Sequence, residues 1–272
     1  MMMNRRQFVY AAAASAAMFA RAANVLAATY DLIVKGGRVI DSSLRINAVR
    51  DVAIAGGRIA AVEANIAADA ADVIDARGRL VVQGLLDIHT HYARDDDGPT
   101  VCLADGVTGW VDAESQGADQ IADPVAVAQS APQQGRVLIN IGRAGILPEG
   151  DTMDISRADV DAAKDAIARH RDVIVGVKAR LSRNVAADDV EVLSRAQEVA
   201  TSFNLPVMIH MGQTVSPLPR LLNLLKRGDI VTHIFAPPPN SIIDDTGHIL
   251  RRCLPPGAAA CGSTSLMDGP AI

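Results

Sequence analysis

The sequence predicts an α/β fold: a parallel sheet flanked by helices, preceded by a small β-rich segment. Three observations carry that expectation. Six apolar runs, Leu80–Ile88, Gly106–Val111, Arg136–Ile141, Val173–Val177, Pro206–Ile209 and Asp229–Ile234, recur with helical patterns between them. Strands that alternate with amphipathic helices bury both faces of a parallel sheet. Between Tyr30 and Val82 the rhythm is shorter, alternating and punctuated by glycine pairs, with no long helix. Apolar residues make up 49% of the 272-residue chain, which excludes a disordered chain, and that length excludes a disulfide-stapled miniprotein. A doubly wound sheet and a barrel share this rhythm, so periodicity alone leaves the architecture open.

Residues 1–28 read as an export signal outside the fold. Arg5 and Arg6 lead into the uncharged run Phe8–Ala20, and Val25-Leu26-Ala27 offers a cleavage site. A positive start, a short apolar core and small residues before the cut make a secretory signal, too short to span a bilayer. The stretch Asn4-Arg5-Arg6-Gln7-Phe8 resembles a twin-arginine signal. It implies a bacterial protein exported folded to the periplasm, with no stable membrane anchor. An ordinary export signal with an incidental arginine pair is the alternative.

Residues 29–82 are expected to form the small β-domain. Tyr30–Lys35 alternates, Gly36-Gly37 turns the chain and Arg38-Val39-Ile40 resumes; Asp51–Ile54, Gly56-Gly57 and Arg58–Val62 repeat the scheme. Two hairpins follow from that pattern. Residues 83–250 carry the strand–helix units, with the clearest helices at Ser156–His170 and Ala187–Ser202. Ser156, followed three residues later by Asp159, supplies a cap ahead of Val160, Ala163 and Ile167. Residues 251–272 lose all periodicity, carry Pro255-Pro256 and read as an irregular tail.

Composition also narrows function. The net charge is −5, from 26 basic and 31 acidic residues with no basic stripe, which argues against a nucleic-acid partner. The three cysteines, Cys102, Cys253 and Cys261, are odd in number and lack metal-type spacing, so no disulfide framework is expected.

The chemistry concentrates in histidines. In Leu85-Leu86-Asp87-Ile88-His89-Thr90-His91 the two imidazoles, spaced i, i+2 in a strand, point to one side. His210 closes the fifth apolar run and His233 the sixth, so four of the six histidines stand at strand ends. Barrel enzymes build their active sites on that face, and neutral imidazole is a preferred zinc ligand. His170 and His248 read as helix-end and loop residues. Lys178 ends the fourth run at the same rim; an ammonium cannot ligate a cation, but a neutral amine can take up carbon dioxide as a carbamate.

Several segments together resemble the amidohydrolase superfamily, of the dihydroorotase and D-aminoacylase kind, closest to its amidohydrolase/deacetylase branch. They are Asp31–Asp41, Gly84–His91, Gly106-Val107-Thr108, Gly176-Val177-Lys178-Ala179-Arg180, His210-Met211-Gly212 and Thr232-His233. The resemblance spans about Tyr30 to Leu250. It implies an incomplete TIM (β/α)8 barrel of about six βα units with a small N-terminal β-domain. It also implies two divalent metal ions, zinc in type: His89 and His91 on one, His210 and His233 on the other, and carbamylated Lys178 bridging them.

The implied reaction is hydrolysis of an amide or ester bond in a small acylated or cyclic substrate by metal-activated water. Two departures qualify it. The family places a proton-shuttling Asp after its eighth strand; Asp244, Asp245 and Asp268 do not match that context, so the chain is expected to be impaired, through a frameshift or truncation near residue 250 or through divergence. Dihydroorotases carry an Arg two residues after the second histidine of the pair, where this chain has Ala93. That favours a deacetylase or deacylase over a dihydroorotase- or hydantoinase-like cyclic amidase, and a non-catalytic metal-binding fragment is the third reading. Arg143, just past the third run, is a candidate clamp for a substrate carboxylate, with surface ion pairing as its alternative.

Overall fold

The computed structural model describes residues 29–95, 97–210, 212–234, 236–237, 241–244, 246–250, 253 and 262–263. The expected export signal therefore lies outside the described residues. The chain divides into two compact units, with the boundary between Gln83 and Gly84. Among the described residues no helix is long and apolar enough to cross a membrane.

The first unit is a five-stranded sheet of β1 (Tyr30–Asp41), β2 (Ile46–Ala55), β3 (Arg58–Glu63), β4 (Ala70–Asp75) and β5 (Leu80–Val82). Strands β1 to β3 form an antiparallel meander. The Gly56-Gly57 turn falls where the sequence places it, between β2 and β3. Gly36-Gly37, expected to turn the chain, does not: β1 runs through it with a bulge between Val34 and Gly37. Gly36 takes φ +72°, which glycine adopts without steric cost. A Cβ on Gly37 would lie 2.4 Å from Val81 Cγ2. The bulge lets one strand serve two parallel partners, β4 along Tyr30–Lys35 and β5 along Arg38–Ile40. Ile33, Ala53 and Ile66 form the core. Buried Asp51 secures the bulge by accepting from Gly36 N (2.8 Å) and Ile66 N (2.9 Å).

The second unit decides the architecture. Its sheet contains β6 (Leu85–Thr90), β7 (Val107–Gly117), β8 (Gln134–Asn140), β9 (Ile174–Arg180), β10 (Val207–His210), β11 (Ile230–Val231) and β12 (Gly262–Ser263). Every pairing is parallel, and the strands follow one another in chain order without reversal. A doubly wound sheet reverses its strand order at a switch point, whereas a barrel does not. This unit is a curled parallel half-barrel. The apolar run Leu80–Ile88, expected as one strand, is split between β5 of the first unit and β6 of the second. The tail, expected to be irregular, contributes β12 beside β11; Cys261 lies outside the described residues.

The helices are α1 (Gly98–Ala104), α2 (Ala122–Ser130), α3 (Val160–Arg169), α4 (Asp189–Phe203) and α5 (Leu218–Leu224). The cap of α3 is Asp159 itself, which accepts from Ala162 N, while Ser156 sits in a short 3-10 turn capped by Asp154. Alternate strand residues Val137, Ile139, Val177, Ala179, Val207 and Ile209 share a core with α3 to α5. The opposite face carries Ala113, Leu138 and Met208, the inner layer of the half-barrel. Lys178 pairs in register with Asn140 and Met208, and His210 with Arg180. The inner layer therefore turns polar towards the C-terminal ends of the strands.

Candidate metal centre

All parallel strands end at the same rim, and the candidate side chains leave the sheet there. His89 lies in β6 and His91 just beyond it, Lys178 lies in β9, His210 closes β10 and His233 follows β11 by two residues. The geometry brings all five together. Ring centroids are 5.9 Å apart for His89 and His91, 5.2 Å for His89 and His233, and 4.6 Å for His210 and His233. Lys178 is completely buried, with Nζ 3.4 Å from His89 Nε2.

Backbone detail explains the convergence. Asp87 accepts from His89 N at 3.0 Å and fixes the strand where the pair begins. Fully buried Thr232 bonds through N and Oγ1 to Ile209 O, at 3.0 and 3.1 Å, so His233 starts from a fixed point. His233 itself has φ 58°, the left-handed region that a residue with a Cβ enters at a cost of about 1–3 kcal/mol. That conformation sends its ring back over the rim towards His210.

Burial, with the Lys178 charge second, lowers the basicity of the rings: His89 and His210 to about 2, His91 to about 4. At neutral pH these rings are uncharged and keep a lone pair, the form in which imidazole binds a cation. Among the described residues no three His, Cys, Asp or Glu side chains form a ready-made metal cluster. The rings rest edge to face, and the buried Lys178 amine lies against His89. The donor set nonetheless fits a divalent cation pair, because four imidazoles and one amine are gathered and the three rings above are held neutral.

A cavity of about 500 Å³ adjoins His210 and is lined by Arg180, Ser182, Arg183, Asn184 and Gln213 among others. Arg180 reaches Asp151 at 3.1 Å, and buried Asp151 also accepts from Asn140 Nδ2 (2.9 Å) and Leu147 N (3.0 Å). Arg143 does not enter this cavity. Its guanidinium is held by Asp119 at 2.8 Å and Asp159 at 3.0 Å, so the expected carboxylate clamp is a surface ion pair. His170 caps the end of α3, and His248 sits in an exposed loop, Nδ1 2.9 Å from Thr246 Oγ1.

Sequence reasoning singled out neither Asp112 nor Ser115 for a role. Asp112 is fully buried and accepts from Ser115 Oγ, Ser115 N and Ala93 N at 2.7, 2.9 and 3.1 Å. Burial pushes its carboxyl up, against those bonds. Ser115 Oγ lies 3.2 Å from His91 Nδ1. The available signal was an acid inside the apolar stretch Gly109-Trp110-Val111-Asp112-Ala113. For Arg180 it was the i+2 spacing from Lys178, which puts both on one face of β9.

Known proteins resemble this chain in sequence and in fold. A deacetylase from Enterococcus faecalis is 31% identical over 226 residues, 79% of this chain and 59% of its own. A solved adenine deaminase superposes with TM-score 0.73 at 31% identity, over 81% of this chain and 61% of its own. A solved dihydroorotase does so with TM-score 0.71 at 25% identity, over 79% and 60%. The chain belongs to the amidohydrolase superfamily. No family model matches it. This amidohydrolase chain spans little more than half the length of the curated deacetylases it matches.

Proposed function

We propose that the chain is a metal-dependent hydrolase of amide or ester bonds in small acylated molecules, a deacetylase or deacylase in kind. The observation that carries this reading is the convergence of His89, His91, Lys178, His210 and His233 at one end of a parallel sheet. The naming of the Enterococcus relative as a deacetylase supports it. His89 and His91 would hold one zinc ion and His210 and His233 a second. Lys178 would bridge them as a carbamate, its amine nitrogen adding to carbon dioxide with loss of a proton. Two bound cations supply activation of water and polarisation of the scissile carbonyl. The chain's own contribution is positional: Arg180, Arg183, Asn184 and Gln213 offer donors beside His210 that orient a substrate.

Hydrolysis also requires an acid that protonates the leaving group. Of the late acids, Asp244 is committed to its own exposed loop, accepting from Thr246 N and His248 N at 2.9 Å each. Asp245 and Asp268 lie outside the described residues. With Asp244 so committed, impaired turnover of the 272-residue chain is part of this proposal.

The test combines elemental analysis with a panel of N-acetyl amino acids, acetyl esters and dihydroorotate. Two zinc per chain and slow turnover confined to the acetylated compounds support the reading. Dihydroorotate turnover moves the assignment to a cyclic amidase, the reading favoured by the dihydroorotase superposition. Metal with no turnover at all makes this a binding module, and absence of metal refutes the reading.

A further inference from the structure

We infer that Ser115 and Asp112 are positioning residues that fix the tautomer of His91, placing its proton on Nδ1 and turning the Nε2 lone pair towards the cation site. The inference rests on the metal-dependent reading above for what Nε2 faces, and on the hydrogen bonds alone for how the ring is held.

The available protons fix the direction of each bond. Both oxygens of Asp112 already accept a backbone N–H, Oδ1 from Ser115 and Oδ2 from Ala93. The single hydroxyl proton of Ser115 goes to Asp112 Oδ2 across 2.7 Å. Ser115 Oγ then has only lone pairs to present to His91 Nδ1 at 3.2 Å, so Nδ1 must be the nitrogen that bears hydrogen. In a neutral ring this leaves Nε2 as the free lone pair. A metal-bound histidine whose other nitrogen donates to a fixed acceptor is a recurring outer-shell device.

Local structure makes the relay possible. In a regular strand residues three apart face opposite sides, so Asp112 and Ser115 would diverge. The pairing of β7 with β8 shifts register between Ala113 and Gly117, and this irregularity folds Ser115 back onto Asp112. Asp112 also grips Ala93, so one buried carboxylate secures the chain on the C-terminal side of His91 directly and the ring through Ser115. Neither residue reaches the cavity beside His210, so a substrate contact does not account for them.

The experiment uses the full chain, uniformly ¹⁵N-labelled and freed of metal. Long-range ¹H–¹⁵N correlation of the imidazoles is recorded for wild type, Ser115→Ala, Ser115→Thr and Asp112→Asn, followed by zinc titration of each. The expected result is an Nδ1–H tautomer at His91 in wild type and a mixture in Ser115→Ala. Zinc affinity at one of two sites should fall by about 10–100-fold in Ser115→Ala, the usual cost of losing an outer-shell partner. Ser115→Thr, which keeps the hydroxyl, should restore both signals, and Asp112→Asn should lie between. A proton on Nε2 of His91 in wild type overturns the inference, and that spectrum decides even where a variant fails to fold. So does wild-type zinc affinity in Ser115→Ala, or a Ser115→Thr variant no better than the alanine. A wild-type chain that binds no zinc yet shows the Nδ1–H tautomer, lost in Ser115→Ala, removes the hydrolase reading and leaves the relay standing.

Discussion

Asp151→Ala tests how the loop after β8 is tied to the histidine-bearing rim. Asp151 is 2% exposed in its side chain and accepts from three sources: Asn140 Nδ2 at 2.9 Å, Leu147 N at 3.0 Å and Arg180 Nη1 at 3.1 Å. Two of these run from neutral donors to a charged carboxylate and are worth about 1.5 kcal/mol each, the low end for such bonds. Breaking a buried ion pair costs about 3–5 kcal/mol. Arg180 retains 20% exposure and can turn to water, which reduces its share to about 1 kcal/mol. The expected loss is about 4 kcal/mol, or roughly 8–16 °C in melting temperature at about 2–4 °C per kcal/mol for a unit of this size. The assay is built into the sequence: Trp110 is the one tryptophan, it is fully buried, and it lies in the half-barrel, so its fluorescence reports that unit alone. Asp151→Asn keeps the shape and one acceptor and should lose about half as much. A loss below about 1 kcal/mol for the alanine, or equal losses for both variants, would refute the accounting.

Three further outcomes follow from the same geometry. Gly135→Ala should destabilise the half-barrel by about 1–3 kcal/mol through overpacking, because its Cβ would lie 2.6 Å from Trp110 Cζ2 and 2.9 Å from Ala128 Cα; a melt unchanged by Trp110 fluorescence would contradict this. Burial raises the Asp51 carboxyl, but backbone N–H bonds from Ile66 and Gly36 and the Lys35 charge outweigh it and hold the group below its ordinary 3.8. The stability it contributes is present above pH 3.8 and is lost as pH falls through the lower folded value; the protection of Ile66 N against hydrogen exchange, relative to its intrinsic rate at each pH, should fall in acid, and not in Asp51→Asn. Strand β6 ends the described sheet and leaves Leu85 and Leu86 56% and 64% exposed, an edge that invites association. Leu86→Lys should shift light scattering towards monomer, and an unchanged distribution would clear that edge.

What the sequence made legible was the part written in local spacing. The i, i+2 histidines and the strand-end positions of Lys178, His210 and His233 needed only strand periodicity, and the structure gathers them. Gly36-Gly37 misled because alternation resuming on both sides of a glycine pair fits a bulge as well as a turn. The two differ only in the partner strand, and β4 and β5 lie more than thirty residues downstream. Arg143 had an acceptor pair, Asp119 and Asp159, on other elements, which spacing could not reveal. The Ser115 contact to His91 spans 24 residues and depends on a register shift with no composition signal. The choice between barrel and doubly wound sheet was likewise tertiary, settled by strand order and not by any one strand.

The rings that suit the chain to a cation also govern how it responds to acid. Their ordinary value is 6.5, while in the fold burial and then the Lys178 charge hold His89 and His210 near about 2 and His91 near about 4. These bases are protonated more readily in the unfolded chain, so their contribution is intact above pH 6.5 and is lost as pH falls below it. Each adds a slope of up to about 1.4 kcal/mol per pH unit, and three together up to about 4. A stability of about 5–15 kcal/mol would be exhausted within about one to four units. Zinc at about 100 times its dissociation constant should add about 2.7 kcal/mol at pH 7.5, and that gain should shrink in the same acid range, since protons compete for the same lone pairs. His210→Gln removes one proton from the linkage and should lower the metal-free slope by about a third. Melting by Trp110 fluorescence between pH 7.5 and 4.5, with zinc or with chelator, reads all of this. A metal-free midpoint that stays flat across the range would mean that the imidazoles are not buried as neutral rings, and a zinc effect that persists undiminished at pH 4.5 would mean that the ion binds elsewhere.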